Sequence, residues 1–277
     1  MSVKIVTDST SDIAKEVAAD LGITVVPLNV HFGLDTFSDG LDIQPDQFYQ
    51  RLLTSQSLPK TSAPAPGLFR ETYRKLLAKG DDIVSIHVSS KLSGTFESAM
   101  AGKRDLAGGE RIEVIDSGSA SMGIGLLAIA AAKAAARGAG RDEVTAMVRE
   151  SIEKVYVAVA LDTLEFLQKG GRVGKAQAWF GSLLAIKPMI SLRDGEVVPL
   201  ERVRTRAKST ARIYELLEQH LPAREIAVVY STDREEADMM MKRVAGLGGG
   251  QSAYLARFGP VLGTYVGPNS LAVVTLN

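Results

Sequence analysis

The feature that most constrains the fold of this 277-residue chain is a regular alternation of short β-rich runs with longer amphipathic segments. Such alternation predicts βαβ units, in which parallel strands form a sheet that helices cover on both faces. The strands of the first half are apolar throughout, as expected of strands buried on both sides. They are predicted at Val3–Thr7, Ile23–Phe32, Ile83–Val88 and Ile112–Ile115.

The helices of the first half follow from apolar periodicity and from residues that begin or end helices. Ser11 is expected to cap the first of them. Pro59–Gly67 is predicted to be a loop, because three prolines and a glycine in nine residues continue neither helix nor strand. The predicted helices are Ile13–Leu21, Asp46–Leu53, Leu68–Lys79, Gly94–Leu106, Met122–Arg137 and Glu143–Lys154.

The pattern changes from about Val155, where a hairpin interrupts the alternation. Lys187–Arg193 and Glu196–Glu201 are predicted to pair around Asp194-Gly195, since Asp-Gly favours a tight primed turn. We therefore predict two α/β domains: residues 1–154 with a parallel sheet flanked by helices, and 155–277 with a mixed sheet. The other predicted elements are strands at Val155–Leu161, Ile226–Tyr230, Ser252–Phe258 and Leu271–Leu276, and helices at Ala178–Ala185, Ala207–Gln219 and Glu235–Leu247.

Charge and cysteine content exclude several classes of function. The chain has 32 Lys and Arg against 32 Asp and Glu, so it lacks the basic excess of a nucleic-acid binder. The absence of cysteine removes disulfides, thiolate-bound zinc, iron–sulfur clusters and thiol nucleophiles. No signal-peptide pattern stands at residue 1, and the most apolar run, Met122–Ala136, is interrupted by glycines and a lysine. We expect a soluble cytoplasmic protein with no transmembrane segment and no nucleic-acid partner.

Two glycine-rich stretches resemble nucleotide-binding motifs but lack their essential features. Gly170–Lys175 is followed by Ala176 where a P-loop has the Ser or Thr that holds magnesium. Gly123–Ala128 lies inside the predicted Ala-rich helix, where small residues for close packing explain it better than a dinucleotide site. The three histidines are far apart in sequence, which argues against a histidine metal site. We expect no metal and no cofactor.

Hydroxyl-rich segments after three predicted strands carry the candidate binding chemistry. Asp8–Ser11, Ser89–Thr95 and Asp116–Ser119 each stand between a strand and a helix. Ligands of an open parallel sheet bind outside the carboxyl ends of its strands, and helix amino termini there favour an anion. Helix capping requires the same residue types, so both interpretations stay open. The candidate cleft-lining residues are Ser9, Gly94 and Ser117.

Two further segments are candidates for binding. Gly259–Asn269 surrounds apolar residues and Tyr265 with glycines and prolines, which lets backbone approach a ligand closely, although an ordinary tight connection has the same composition. The basic stripe Arg202–Arg212 is either a solvated face or a docking site for an acidic partner or a phosphate. No nucleophile–base pair is evident, which favours binding over catalysis. The alternative is a small-molecule transferase or hydrolase that uses Ser93 or Ser117.

At these segments the sequence resembles the DegV family, which includes the fatty-acid-binding subunits of bacterial fatty acid kinase. The resemblance implies two α/β domains with an acyl chain buried in a cleft between them and a carboxylate held by hydroxyl groups. It extends along the whole chain, over Thr7–Thr10, Lys60–Pro64, Ser89–Thr95, Asp116-Ser117, Leu161–Leu164, Lys169–Arg172, Ile186–Pro188 and Gly259–Pro268.

The resemblance also implies roles for individual residues. Thr61, Ser62 and Ser93 are the implied carboxylate ligands. Tyr265 stands where family members usually have a histidine, and a neutral phenol donates one hydrogen bond but supplies no positive charge near pH 7. Leu183–Ile186 and Met122–Leu127 are expected to wall the acyl tunnel, although ordinary core packing explains the same residues.

The implied function is that of a carrier. The chain would hold a long-chain fatty acid and present its carboxyl group to a separate ATP-dependent kinase, since it contains no nucleotide motif of its own. Arg172, Arg202 and Arg204 are the candidates for docking that kinase or contacting the phosphate.

Overall fold

The structure, a computed structural model, describes residues 2–179, 186–247 and 252–277. Its strands are β1 (Val3–Asp8), β2 (Thr24–Val26), β3 (Asn29–Phe32), β4 (Asp35–Ser38), β5 (Lys60–Ser62), β6 (Asp82–His87), β7 (Ile112–Asp116), β8 (Val155–Ala160), β9 (Lys187–Arg193), β10 (Glu196–Val203), β11 (Glu225–Tyr230), β12 (Ser252–Arg257) and β13 (Leu271–Leu276). Its helices are α1 (Lys15–Asp20), α2 (Pro45–Thr54), α3 (Pro66–Leu77), α4 (Thr95–Lys103), α5 (Met122–Ala136), α6 (Arg141–Ile152), α7 (Glu165–Lys169), α8 (Arg206–Gln219), α9 (Arg234–Ala245) and α10 (Pro260–Val266).

Two large sheets organise the fold, and both were predicted. The first has the order β2-β1-β6-β7, and all of its strands are parallel. The second has the order β10-β9-β8-β13-β11-β12 and is mixed, with β11 and β12 parallel and the other pairs antiparallel. The β9–β10 hairpin turns at Asp194 and Gly195, which both have positive φ, as a primed turn requires.

A third, small antiparallel sheet was not predicted. The expected strand Ile23–Phe32 divides into β2 and β3 around Pro27, so that β2 joins the parallel sheet and β3 pairs with β4 and β5 instead. The expected loop Pro59–Gly67 contains β5, whose Thr61 pairs with Val30. Pro59 and Pro64 flank this strand and limit its length but do not prevent it, because neither proline has to donate to the ladder.

The start of α1 differs from the prediction. Ser11 does not cap a helix, because Ser9–Ser11 form a separate 3₁₀ turn and α1 begins at Lys15. Asp8 caps that turn by accepting from the Thr10 N–H, and Asp12 ends it in a left-handed conformation. The predicted helix Ala178–Ala185 and the tunnel wall Leu183–Ile186 lie largely outside the described residues.

Helix α5 packs between the two large sheets. It contacts β1 and β6 of the first sheet and β8, β11 and β13 of the second. A Cβ on Gly125 would lie 2.7 Å from the carbonyl oxygen of Ser11, so only glycine permits this approach. The close packing inferred from the glycines of this helix is therefore present. One continuous apolar cluster includes Ile86 of β6, Leu126 of α5 and Val159 of β8.

Candidate functional site

An apolar cavity lies between the two large sheets and α10, and its empty space is about 900 Å³ with its opening to solvent included. Branched aliphatic side chains from the second sheet, from the segment after β6 and from α10 form most of its lining. They include Val88, Val159, Ile190, Leu192, Val197 and Leu262.

Four hydroxyl-bearing residues named from the sequence line this one cavity, namely Thr61, Ser62, Ser93 and Tyr265, here called the hydroxyl cluster. The Thr61 hydroxyl and the Tyr265 phenol share a 2.5 Å hydrogen bond. The Ser93 hydroxyl lies 2.8 Å from that of Thr95, the first residue of α4. Gly94, which was also predicted to line the cleft, lines this cavity too. The role of these residues as carboxylate ligands stays a prediction.

A histidine that was not predicted to belong to the site stands beside the hydroxyl cluster. The His31 Nε2 atom lies 2.9 Å from the Ser62 hydroxyl, and its Nδ1 atom lies 2.9 Å from the Thr36 hydroxyl. The pairing of β3 with β5 creates this contact. It aligns Asn29 with Ser62, and His31 lies two residues further along β3, so its side chain is on the same face of the sheet as that of Asn29. Since β5 was expected to be a loop, its partner strand could not be inferred.

Arg172 is the one basic side chain of the described residues that lines the cavity. Its guanidinium donates to the carbonyl oxygens of Leu92 and Gly170, at 3.2 and 2.8 Å. The same group lies 5.4 Å from the centre of the Tyr265 ring, within the range of a cation–π contact. Gly170 makes this arrangement possible, because a Cβ at that position would lie 2.5 Å from the phenol ring.

Four other residues named from the sequence lie elsewhere. Ser9 lines a second cavity, of about 1,800 Å³ with its opening included. Ser117 is buried and hydrogen-bonded to the backbone of Ser119, and it lines neither cavity. Arg202 and Arg204 are exposed at the end of β10, with the Arg202 guanidinium 4.6 Å above the Trp179 ring.

Two buried hydroxyls that line the apolar cavity were not predicted to be ligands. Thr10 and Ser121 are 2% and 5% exposed, and both line it. The Thr10 hydroxyl lies 2.5 Å from Asp8 Oδ1, and the Ser121 hydroxyl donates to Asp12 Oδ2 at 2.6 Å. Both hydroxyls therefore have carboxylate partners, and neither of these carboxylates lines the cavity.

A buried chain of hydrogen bonds resembles a catalytic triad but has no access to substrate. Ser85 Oγ lies 2.7 Å from His87 Nε2, and His87 Nδ1 lies 3.0 Å from Asp8 Oδ2. Ser85 is fully buried within β6, is bonded to the Tyr73 hydroxyl at 2.8 Å, and lines neither cavity. A nucleophile must reach its substrate, so this network is structural.

Metal and membrane features are absent from the described part of the chain. No group of three or more His, Asp or Glu side chains within residues 2–179, 186–247 and 252–277 is arranged to hold a metal ion. None of the helices in these ranges has the length and apolar character needed to cross a bilayer.

Comparison with known proteins gives consistent matches over the full length. A family model described as "Uncharacterised protein, DegV family" matches residues 2–277. A DegV domain-containing protein of Streptomyces coelicolor is 37% identical over 279 residues, which cover 98% of this chain and 97% of that protein.

Two solved structures share the fold over nearly the whole chain. A DegV family protein of Thermus thermophilus, described by its fatty acid binding, has a TM-score of 0.92 and 31% identity, with 100% of both chains covered. A stearic acid-binding protein of Eubacterium ventriosum has a TM-score of 0.91 and 26% identity, with 99% of this chain and 98% of that chain covered.

Proposed function

This chain belongs to the DegV family, and we propose that it is a fatty-acid-binding carrier that buries a long acyl chain in the cavity between its sheets. The observation that carries the proposal is the composition of the cavity wall. Aliphatic side chains cover most of it, and the hydroxyl cluster supplies hydrogen-bond donors in one region. A ligand with a long apolar tail and one compact acidic head matches that division.

The energetics favour such a ligand. Burial of an acyl chain at about 0.8 kcal/mol per methylene gives roughly 10–13 kcal/mol for an acid of about sixteen to eighteen carbons, before ordering costs. Desolvation of the carboxylate opposes binding and is tolerable only with several charge-assisted hydrogen bonds. The hydroxyl cluster and the Arg172 guanidinium can supply them.

The similar proteins support the same ligand class. Those of Thermus thermophilus and Eubacterium ventriosum are described as binding fatty acid and stearic acid, and each is more than 25% identical to this chain. We extend to this chain the binding of a long-chain fatty acid, with the hydroxyl cluster as the carboxylate ligands.

The finer part of the proposal is a separate ATP-dependent kinase that acts on the bound acid. Ser62 and Gly94 line the cavity and are themselves exposed, so the head group would be reachable from solvent. The exposed Arg202 and Arg204 are the proposed docking residues for that kinase, and Arg172 is the proposed phosphate contact.

The alternative of a serine-dependent transferase or hydrolase has less support. Ser93 shares its hydrogen bond with Thr95, which cannot act as a general base near pH 7. Ser117 lines neither cavity. No described contact places a histidine or carboxylate against either hydroxyl.

Mass spectrometry of the purified protein tests the carrier proposal. Native spectra should show a mass increment that denaturing organic extraction releases as a long-chain fatty acid. Leu192→Trp, which fills the cavity, should reduce this occupancy, whereas Leu53→Trp on an exposed face of α2 should not. A wild-type protein that carries no acid and takes none up from a panel of fatty acids would contradict the proposal.

A further inference from the structure

An imidazole and two hydroxyls form a hydrogen-bonded row that ends at the hydroxyl cluster, here called the Thr36–His31–Ser62 row. The Thr36 hydroxyl lies 2.9 Å from His31 Nδ1, and the Ser62 hydroxyl lies 2.9 Å from His31 Nε2. Ser62 lines the apolar cavity, whereas His31 and Thr36 do not. Any effect of His31 on a ligand in that cavity is therefore transmitted by Ser62.

The strand pairing of the small sheet brings the three groups together. His31 of β3 is opposite Thr36 of β4 and Lys60 of β5, and Asn29 is opposite Ser62. Directly opposed residues of an antiparallel pair have their side chains on the same face of the sheet, as do residues two apart in one strand. The row is therefore a consequence of two strand registers.

The row can carry its hydrogen bonds in either of two directions. A neutral imidazole has one N–H and one acceptor nitrogen, and a hydroxyl can both donate and accept. In the first direction the Ser62 hydroxyl donates to Nε2, and the Nδ1–H group donates to Thr36. In the second direction the Thr36 hydroxyl donates to Nδ1, and the Nε2–H group donates to Ser62 Oγ.

The second direction suits a bound carboxylate, which accepts hydrogen bonds and donates none. In the first direction Ser62 gives its one proton to His31 and offers the cavity a lone pair. In the second, Ser62 Oγ accepts from His31 and also from Asn29 Nδ2, at 3.4 Å. These two donors occupy both lone pairs of the oxygen, so the Ser62 proton is left for the ligand.

We propose that His31 is a positioning residue, which donates its Nε2–H to Ser62 and thereby directs the Ser62 hydroxyl proton at the carboxylate of a bound acid. The proposal rests on the proposed function for the identity of that acid. It gives His31 no contact of its own with the ligand. A side chain at position 31 that cannot donate to Ser62 would leave the Ser62 proton without a fixed direction.

A serine beside a histidine is also the arrangement of a nucleophile and its general base. In a catalytic triad, a carboxylate on Nδ1 stabilises the imidazolium that forms during the reaction. Here the group on Nδ1 is the neutral Thr36 hydroxyl, which supplies no such charge. The surroundings of the imidazole therefore favour donation to Ser62 over removal of its proton.

Nitrogen-15 NMR of the imidazole side chains tests the direction of the row. The chain has three histidines, so the loss of one set of signals in His31→Gln assigns His31. The spectrum is recorded at about pH 8, because an imidazolium carries a proton on both nitrogens. In the stearate complex we expect a proton on His31 Nε2. An unprotonated Nε2 would overturn the proposal, because Ser62 would then be the donor.

The affinity for stearate tests the consequence of this direction. His31→Asn places its amide near the position of Nδ1 and away from Ser62, so the Kd should rise about five- to tenfold, as for the loss of one hydrogen bond. His31→Gln has an amide that reaches the position of Nε2 and should restore most of the affinity. His220→Phe is the control, since His220 bonds to the Leu216 carbonyl and lines neither cavity.

Ser62→Ala separates positioning from a structural role. In that background His31→Asn should have little further effect on the Kd, because the hydroxyl that His31 directs is gone. An equal loss in both backgrounds would overturn the proposal, as would wild-type affinity in His31→Asn. The NMR experiment examines the wild-type complex and decides the question even where a variant binds poorly. Absence of stearate binding by the wild type would overturn the proposed function, and this inference with it.

Discussion

The Thr61 hydroxyl and the Tyr265 phenol are 2.5 Å apart, although 204 residues separate them in the chain. Their hydrogen bond joins β5 of the small sheet to α10 and lies in the wall of the apolar cavity between the two large sheets. A carboxylate bound there accepts hydrogen bonds but donates none, so it must take at least one of these two protons. The mutual bond uses one of the two protons, so the other is free for the carboxylate, and an acid can bind while the Thr61–Tyr265 bond persists.

Tyr265→Phe tests the contribution of the phenol to binding. We expect the Kd for stearate to increase about five- to tenfold, which corresponds to the loss of one hydrogen bond of about 1–1.4 kcal/mol. Isothermal titration calorimetry measures it. Thr61→Val removes the other partner, and the double variant should cost less than the sum of the two because they share one bond. Fully additive effects would show that the two hydroxyls act independently on the ligand.

Gly170→Ala is expected to disturb Tyr265 from a distance. The new Cβ would lie 2.5 Å from the phenol ring, so the ring must move away from both Thr61 and Arg172. We expect weaker stearate binding and a loss of unfolding free energy of about 1–3 kcal/mol in urea. In a Tyr265→Ala background the same substitution should have little effect, since the ring is gone. An equal loss in both backgrounds would place the strain elsewhere.

Much of this site could be predicted from the sequence, because local chemistry marks it. Hydroxyls after a parallel strand indicated Ser93, a glycine-rich turn before the last strand indicated Tyr265, and the family resemblance implied Thr61. The position of His31 could not be predicted, since it depends on a three-residue strand between prolines whose pairing has no periodic signal. Contacts of this kind are tertiary, and sequence patterns do not report them.

The same limit applies to two buried acids, Asp12 and Asp39. Asp39 stands in a segment, Ser38–Asp42, whose composition is typical of an exposed turn, yet it is 5% exposed and lies beside Gly259 at the beginning of α10. Asp12 was not predicted to be buried either, although it directly follows the hydroxyl-rich segment Asp8–Ser11. Burial of a charged residue follows from the assembled fold and not from its neighbours in sequence.

Arg202→Glu and Arg204→Glu test the proposed kinase contact. Both positions are exposed and neither lines the cavity, so stearate binding should be unchanged. Phosphorylation of the bound acid by an added bacterial fatty acid kinase should fall about tenfold or more in the double variant, because reversed charges repel an acidic docking face. Lys79→Glu, an exposed charge reversal at the end of α3, serves as the control. Unchanged turnover in the double variant would contradict docking through this end of β10.

Asp39 should make the free energy of unfolding depend on pH in an uncommon direction. Its pKa is raised from 3.8 to about 7 in the folded protein, so between these values the folded state keeps a proton that the unfolded state has lost. Stability from this group is full below about pH 4 and is lost as the pH rises to about 7, by up to about 4 kcal/mol. Most buried carboxylates that are paired with cations show the opposite trend.

Urea unfolding of wild type and Asp39→Asn across this pH range measures the effect. Other carboxylates contribute equally to both proteins, so the difference between the two unfolding free energies isolates residue 39. Because asparagine stays neutral, the variant should gain stability relative to wild type as the pH rises from about 4 to about 8. A difference that does not vary with pH would mean that Asp39 is ionised in the folded protein throughout this range, which would contradict the raised pKa.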